Sequence, residues 1–227
     1  MPGYAVKFQN IAIAGGADFN IRSLLDRQQY ADPLGEAAAA GISSAEWPLF
    51  GLVWPSARVL AASMMEFDIA GKRILEIGCG LALASMVLHR RQADITASDC
   101  HPLTENFLRE NLRLNQLPAM HYRTGNWHAD ASTTASLGRF DLIIGSDVLY
   151  DRAQPDVLST FIDNHTNPSA EVIIVDPNRG NRSRFSQLMI ARGYQLSQVR
   201  ADCTQDDGFE YKGRVLSYVR AVGDSLI

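Results

Sequence analysis

From residue 56 to residue 192, short apolar runs of strand character alternate with longer segments of helical character. Strand-like runs lie at 73–78, 95–98, 120–123, 140–145 and 171–176, and helix-like segments lie at 56–67, 82–92, 102–115, 154–164 and 181–192. Neighbouring parallel strands need a crossover connection, which is usually a helix. The alternation therefore predicts an α/β fold with a parallel sheet and helices on both faces.

The C-terminal part of the chain follows a different pattern. The stretches YQLSQVRADC (194–203) and YKGRVLSYVRA (211–221) are strand-like, and only a short loop separates them. Too few residues remain for a crossover helix, so these two strands should pair antiparallel. We therefore expect a Rossmann-like sheet of seven strands, mostly parallel, that ends in an antiparallel C-terminal hairpin.

The length of 227 residues suits one α/β domain with a modest N-terminal elaboration. Residues 4–50 are the least regular part of the chain, and the regular pattern sharpens at Pro55. We predict an N-terminal extension over residues 1–50, made of strand or irregular structure and a helix. The main domain is predicted over residues 51–227.

Charge and cysteine content argue against several classes of function. The net charge of −4 gives no electrostatic footprint for nucleic acid. The three cysteines have neither a CxxC pair nor zinc-ligand spacing, so we predict reduced thiols and no metal site. The N-terminus does not resemble a signal peptide, and no apolar run approaches membrane-spanning length. These features predict a soluble, cytoplasmic protein without a membrane partner, and they leave the oligomeric state open.

The stretch ILEIGCGLALAS (74–85) joins the first predicted strand of the sheet to a helix through a glycine-containing turn. Ligands of open α/β sheets bind beyond the carboxyl ends of the strands. Gly78 and Gly80 permit a tight turn and let a ligand approach the backbone. Glu76 ends this strand and Asp99 ends the next one, where a carboxylate can accept hydrogen bonds from ribose hydroxyls. The four residues together predict a nucleoside cofactor, although a glycine turn alone can be purely structural.

Two classes of cofactor suit this layout. The dinucleotide fingerprint G-x-G-x-x-G/A needs a small third residue, and Leu83 occupies that position. The order E-x-G-x-G instead resembles motif I of the seven-strand S-adenosylmethionine-dependent methyltransferases, whose sheets also close with an antiparallel hairpin. The resemblance implies S-adenosylmethionine as the cofactor, with Glu76, Gly78, Gly80 and Asp99 in its binding site. Many members carry a third glycine where this chain has Ala82.

Three further stretches resemble the family-16 (methyltransferase-like 21) protein-lysine methyltransferases: FGLVWPSARVLA (50–61), GNWHAD (125–130) and FDLIIGSDVLYD (140–151). The resemblance implies that Trp54 covers part of the cofactor and that Trp127 lies near the adenine. It also implies that Asp147 and Tyr150, which match the D-x-x-Y signature, stand at the mouth of the active site. The alternatives are that both tryptophans are core residues and that Asp147 and Tyr150 cap the following helix.

The chemistry of methyl transfer to lysine assigns a role to each D-x-x-Y residue. A lysine must be neutral to attack, and a dry pocket favours its neutral form whereas a carboxylate favours the ammonium. We therefore assign Asp147 to capturing and orienting the amine, and Tyr150 to a hydrogen bond and an aromatic wall. In VDPNRG (175–180), Asp176 and Asn178 are secondary candidates, and a simple D-P-N turn explains them equally well.

The expected function is S-adenosylmethionine-dependent N-methylation, with a protein lysine as the acceptor and residues 4–50 shaping acceptor selection. Two alternatives remain open. One is a small-molecule amine N-methyltransferase, and the other is a catalytically silent cofactor-binding module that serves in interactions.

Overall fold

The strands of this protein form one large sheet and two short hairpins. The computed structural model describes residues 3–127, 137–204 and 208–221. The strands are β1 (Val6–Ile11), β2 (Phe19–Leu24), β3 (Arg73–Ile77), β4 (Asp94–Asp99), β5 (His121–Thr124), β6 (Phe140–Ser146), β7 (Thr166–Asp176), β8 (Gln195–Arg200), β9 (Cys203–Thr204), β10 (Glu210–Tyr211) and β11 (Arg214–Arg220).

The central sheet has the strand order β5-β4-β3-β6-β7-β11-β8. Strands β3 to β7 run parallel to one another, whereas β11 pairs antiparallel with both β7 and β8. The predicted fold class is therefore confirmed, including the antiparallel C-terminal hairpin. The strand order reverses between β3 and β6, and such a switch point is where open α/β sheets bind ligands.

The helices cover both faces of the sheet. They are α1 (Glu36–Ala39), a 3₁₀ helix (Trp47–Gly51), α2 (Pro55–Ser63), α3 (Leu83–Arg90), α4 (Thr104–Leu114), α5 (Gln154–His165) and α6 (Arg182–Ala191). Side chains alternate between the two faces along each strand, so Ile74 of β3 packs with α2 to α4, whereas Leu75 packs with α5 and α6. No helix in the described ranges is long and apolar enough to cross a bilayer.

In the predicted α/β pattern, two element boundaries differ from the sequence prediction by four residues or more. Helix α2 ends at Ser63 rather than at residue 67, and the Arg91 guanidinium donates to the carbonyls of Met64 and Phe67 just beyond that end. Strand β7 begins at Thr166 rather than at residue 171, because Thr166 pairs with Phe140 of β6 ahead of a register shift and Ala170 pairs with β11. Both differences come from tertiary hydrogen bonds that the local pattern does not contain.

The N-terminal hairpin of β1 and β2 is fastened to α4 by two asparagines. The Asn111 amide accepts a hydrogen bond from the Arg22 N–H (2.8 Å) and donates to the Arg22 carbonyl (3.3 Å). Asn115, one turn later, pairs in the same way with Asn20 at 2.8 Å in both directions. The two amides thus take the place of a neighbouring strand along the free edge of β2. Side chains of β2 also join the core under α4, including Phe19 and Ile21.

We expect Asn111→Ala to lower the free energy of unfolding by about 2 kcal/mol, because it leaves the part-buried backbone N–H and carbonyl of Arg22 without these partners. Asn115→Ala is the matched control and should cost about half as much, since its hydrogen bonds with Asn20 are more exposed. Urea unfolding of both variants measures the difference. An equal loss of unfolding free energy in the two variants would show that the burial of Asn111 does not strengthen its two hydrogen bonds.

Candidate active site

A cavity of about 700 Å³ lies at the carboxyl ends of the parallel strands, within the usual range for small-molecule sites. It is lined by the turn after β3, the end of β4, the segment after β5 and the loops after β6 and β7. Seven of the eight residues predicted for the site line it: Trp54, Gly78, Gly80, Asp99, Trp127, Asp147 and Tyr150. Glu76, the eighth, does not line the cavity.

The turn after β3 requires both of its glycines. Gly78 and Gly80 have φ angles of +56° and +51°, in the left-handed region that favours glycine. A Cβ on Gly78 would lie 3.1 Å from Val148 and 3.3 Å from the Trp127 ring. On Gly80 it would lie 3.0 Å from the Phe50 carbonyl oxygen. The glycines therefore allow neighbouring segments to approach the turn and leave its backbone open to the cavity.

The absent third glycine has a structural consequence. Ala82 has a φ of +58° and occupies the N-cap position of α3. A non-glycine residue in this conformation is strained, which gives a physical reason for the glycine that many seven-strand methyltransferases carry here.

Glu76 lies beneath the glycine turn. Its side chain is buried, and its Oε2 accepts hydrogen bonds from the backbone N–H (2.8 Å) and the hydroxyl of Ser85 in the first turn of α3. Burial raises the pKa of Glu76 from 4.5 to about 7, and the bonds from Ser85 oppose that rise. Glu76 therefore braces the start of α3, and the structure places it behind the turn rather than among the residues that face a ligand.

Asp99 connects the end of β4 to the same turn. Its Oδ2 accepts a hydrogen bond from the Gly80 N–H and its Oδ1 accepts one from the His101 N–H, each at 2.9 Å. Burial raises the pKa of Asp99, while the backbone donors oppose the rise. A carboxylate has about four lone-pair positions, so Asp99 keeps capacity to accept hydrogen bonds from a ligand.

The two predicted tryptophans belong to the cavity wall. Trp54 and Trp127 are half-buried, in contrast to Trp47, which is fully buried in the core. The Trp54 indole N–H donates to the Leu49 carbonyl at 2.8 Å, which fixes the ring at the start of α2. Trp127 packs against Gly78. Both rings line the cavity, and Trp127 also packs against the apolar core on the α5 and α6 side of the sheet.

Asp147, directly after β6, is held by an arginine that the sequence analysis did not identify. Arg179 Nε lies 2.8 Å from Asp147 Oδ1, and its terminal nitrogen lies 3.0 Å from Oδ2. This bidentate pair raises the pKa of Arg179 and keeps it charged. Asp147 has a φ of +55° and does not cap α5, which begins seven residues later at Gln154.

Tyr150 and the secondary candidates after β7 occupy distinct environments. Tyr150 lines the cavity with 46% of its surface exposed, and loss of solvent around its hydroxyl raises its pKa to about 12. Asp176 is buried, and its Oδ1 accepts the Arg179 N–H at 2.8 Å. Asn178 has a φ of +62° and accepts a hydrogen bond from the Arg182 side chain. Both secondary candidates therefore shape the loop that carries Arg179, and neither lines the cavity.

Sequence reasoning missed Arg179 and Ser85. Arg179 lies inside the VDPNRG stretch that was singled out for Asp176 and Asn178, so a cation in a loop beside the D-x-x-Y loop was the available signal. Ser85 gave no signal, because a serine in the first turn of a helix is common. Within the described parts of the chain, no group of three histidine, cysteine or carboxylate side chains is placed to hold a metal ion.

Comparison with known proteins identifies relatives of this chain. A family model described as lysine methyltransferase matches residues 48–190. Protein N-lysine methyltransferase METTL21A of Danio rerio is 26% identical over 174 residues, which cover 72% of this chain and 78% of that protein. The electron transfer flavoprotein beta subunit lysine methyltransferase of Danio rerio is 27% identical over 136 residues, 58% of this chain and 51% of that protein. This chain therefore spans about half the length of the second relative.

A solved structure supports the fold. Magnesium protoporphyrin IX methyltransferase of Synechocystis PCC 6803, crystallised with S-adenosylmethionine, aligns with a TM-score of 0.56 at 16% identity. The alignment covers 73% of this chain and 78% of that one. At this identity the likeness shows the fold alone.

The raised pKa of Glu76 predicts a pH dependence of stability. An unfolded glutamate ionises near pH 4.5, whereas the folded one keeps its proton until about pH 7. Glu76 therefore contributes stability that is fully present below pH 4.5 and is lost as the pH rises through 7. Relative to the Glu76→Gln variant, the wild-type free energy of unfolding should fall by about 3 kcal/mol between pH 4.5 and 8.

Urea unfolding of both proteins across this pH range makes the measurement. Because the glutamine also accepts hydrogen bonds from Ser85, the difference isolates ionisation from packing. Parallel pH dependences for the two proteins would contradict the raised pKa.

Proposed function

This chain belongs to the lysine methyltransferase family, and we propose that it transfers a methyl group from S-adenosylmethionine to a lysine side chain of a protein substrate. The observation that carries the proposal is the convergence of three features on one cavity. These are the Gly78–Gly80 turn, the Asp99 carboxylate, and the Asp147–Tyr150 loop. The first two suit the cofactor and the third suits a cationic acceptor.

The residues of the cavity fit S-adenosylmethionine. The glycine turn leaves open backbone that a Cβ would fill, and Asp99 faces the cavity with lone pairs for ribose hydroxyls. Trp54 and Trp127 supply flat apolar walls for an aromatic base. The bound cofactor supplies an electrophilic methyl group on a positively charged sulfur, which a neutral amine attacks in line.

The acceptor side of the cavity is formed by the loop after β6. Asp147 presents a carboxylate to which an amine N–H can donate, and this contact orients the nitrogen lone pair. The Tyr150 hydroxyl keeps its proton at neutral pH and can donate a hydrogen bond. Val148 and Leu149, which lie between Asp147 and Tyr150 in the sequence, are buried and keep water from the inner side of the loop.

We also propose that the N-terminal extension shapes acceptor selection. Arg27, Gly41, Ile42 and Glu46 all line the cavity, so residues before the methyltransferase motifs form part of its wall. A protein acceptor is supported by the names of the two relatives, both of which are protein-lysine methyltransferases. A cytoplasmic location is supported by the three cysteines, which are free thiols.

Gly78→Ala should abolish cofactor binding, because the new Cβ would press against Val148 and Trp127. Gly71→Ala is the matched control, since Gly71 also has a positive φ (+67°) but nothing lies within 4 Å of its Cβ position. Both variants carry similar backbone strain. In thermal-shift measurements, S-adenosylhomocysteine should stabilise the wild type and Gly71→Ala but not Gly78→Ala, and NAD should stabilise none of them. Stabilisation of Gly78→Ala equal to that of Gly71→Ala would contradict the cofactor site.

Purified protein incubated with methyl-labelled S-adenosylmethionine and a cell lysate should label a discrete protein band, with methyllysine as the labelled residue after hydrolysis. Tyr150→Phe and Asp147→Ala should each lower the rate at least about tenfold through loss of acceptor positioning. The Gly78→Ala variant serves as the control, because it is expected not to bind the cofactor.

Other outcomes of the same experiment separate the alternatives. Label in the small-molecule fraction would support a metabolite N-methyltransferase. Cofactor binding without any transfer would support a silent binding module. Unchanged rates in both acceptor-side variants would refute the roles of Asp147 and Tyr150.

A further inference from the structure

The carboxylate that faces the acceptor is already paired with a guanidinium. Arg179 approaches Asp147 with two parallel N–H donors, at 2.8 Å and 3.0 Å. The Asp147 side chain is 12% exposed and that of Arg179 is 41% exposed, so the pair lies at the edge of the cavity with the carboxylate on its inner side. Two of the four lone-pair positions of Asp147 remain for a further donor.

A bare carboxylate would work against methylation of an amine. The free pKa of a lysine is about 10.4, and only its neutral form carries the lone pair that attacks. A carboxylate within about 4–6 Å would raise the pKa of that amine by about one to three pH units. At neutral pH the attacking form would then become rarer by the corresponding factor of about 10 to 1,000.

We propose that Arg179 is a positioning residue that neutralises Asp147, so that the carboxylate orients the acceptor amine without holding it as an ammonium ion. This inference rests on the proposed lysine acceptor. In the paired state Asp147 keeps its hydrogen-bond geometry, while its charge is compensated by a group that stays protonated across the working pH range. The amine then donates to a neutral ion pair and loses its proton to solvent more readily.

The loop after β7 is built to hold this guanidinium in place. The Arg179 backbone N–H donates to Asp176, and Asn178 in the left-handed conformation accepts a bond from Arg182. Asn181 donates to the carbonyls of Leu149 and Asp151, each at 2.9 Å. The first two bonds shape the loop after β7, and Asn181 ties the start of α6 to the loop after β6.

The other groups near the acceptor leave a clear pH window for the test. The remaining charged side chains of the cavity and of its supporting loop are Arg27, Glu46, Asp99, Asp151, Asp176 and Arg182. Burial raises the pKa of Asp176 to about 6, so this group has titrated by pH 7.5.

The titratable neutral groups of the cavity lie outside this window. Burial raises the pKa of Cys79 well above its usual value of 9. The pKa is about 4 for His101, about 12 for Cys100 and Tyr150, and about 12 for Tyr211, which interacts with Asp147. Glu76, with a pKa of about 7, lies behind the turn and is the same in every variant compared. Between pH 7.5 and 10, the acceptor amine is the group whose titration Arg179 should control.

The first test compares pH–rate profiles of kcat on the labelled lysine substrate for wild type, Arg179→Gln, Arg179→Lys and Asp147→Asn, because kcat reports the groups that titrate in the enzyme–substrate complex. Arg179→Gln should be at least about tenfold slower at pH 7.5, and its deficit should shrink as the pH rises, because its rising limb moves to higher pH. Arg179→Lys keeps the charge and should shift the limb by less than half as much. Asp147→Asn should lose rate without any shift to higher pH.

The second test needs no methyl acceptor. In the presence of S-adenosylhomocysteine, n-butylammonium serves as a probe for the lysine side chain at pH 7.5. Arg179→Gln should bind this cation at least about tenfold more tightly than the wild type, while Asp147→Asn should bind it more weakly. Thermal shifts with S-adenosylhomocysteine alone should be equal in all four proteins, which shows that the cofactor site is intact.

The outcomes distinguish the possible errors. A loss of rate in Arg179→Gln that is equal at every pH would overturn the inference in favour of a purely structural role. A faster Arg179→Gln at pH 7.5 would show that the arginine instead blocks the acceptor. If the wild type methylates no lysine, the proposed function fails, and unchanged butylammonium affinity in Arg179→Gln would separately refute the neutralisation.

Discussion

Two buried carboxylates hold the turn between β3 and α3, and the geometry of the cavity depends on them. Asp99 binds the Gly80 N–H from the neighbouring strand, and Glu76 binds Ser85 from below. Several residues of this turn are in the left-handed conformation, so their N–H groups cannot join a helix or sheet hydrogen-bond pattern, yet buried N–H groups need acceptors. The two carboxylates accept these hydrogen bonds, and their own strands, β3 and β4, are held in place by the sheet. The flexible glycines are thereby kept in one conformation, against which Phe50 and Trp127 pack.

The fold was largely predictable because its signals are local. The periods of helix and strand, and the short C-terminal loop, predicted every strand of the central sheet and the antiparallel pairing of β8 with β11. The attachment of the N-terminal hairpin was not predictable. It depends on Asn111 and Asn115, which lie about ninety residues away from the backbone groups they bind. Asparagines in a helix give no sign of such partners, since their ordinary role there is a solvated surface.

The site was predictable only as far as topology alone determines it. The carboxyl ends of parallel strands meet at one edge, so Gly78, Asp99 and Asp147 had to approach one another. What each acid does there depends on its hydrogen bonds, which spacing does not specify. Glu76 and Asp147 each end or directly follow an apolar strand and gave similar sequence signals. The structure assigns one to bracing a helix and the other to an ion pair at the cavity.

The ion pair at Asp147 follows from the register of β6 and β7. Ser146 lies opposite Val175, and the Asp147 N–H extends the ladder by donating to the Val175 carbonyl. The loop that follows Asp176 therefore starts close to Asp147, and Arg179, three residues after Asp176, contacts it. An apolar residue there would leave the carboxylate uncompensated, and an apolar wall in place of Asp147 could not orient an amine lone pair. A guanidinium provides both compensation and a fixed fork geometry, which a flexible lysine would not. The adjacency of two parallel strands thus supplies an electrostatic balance suited to a nucleophile that must be held firmly and yet remain uncharged.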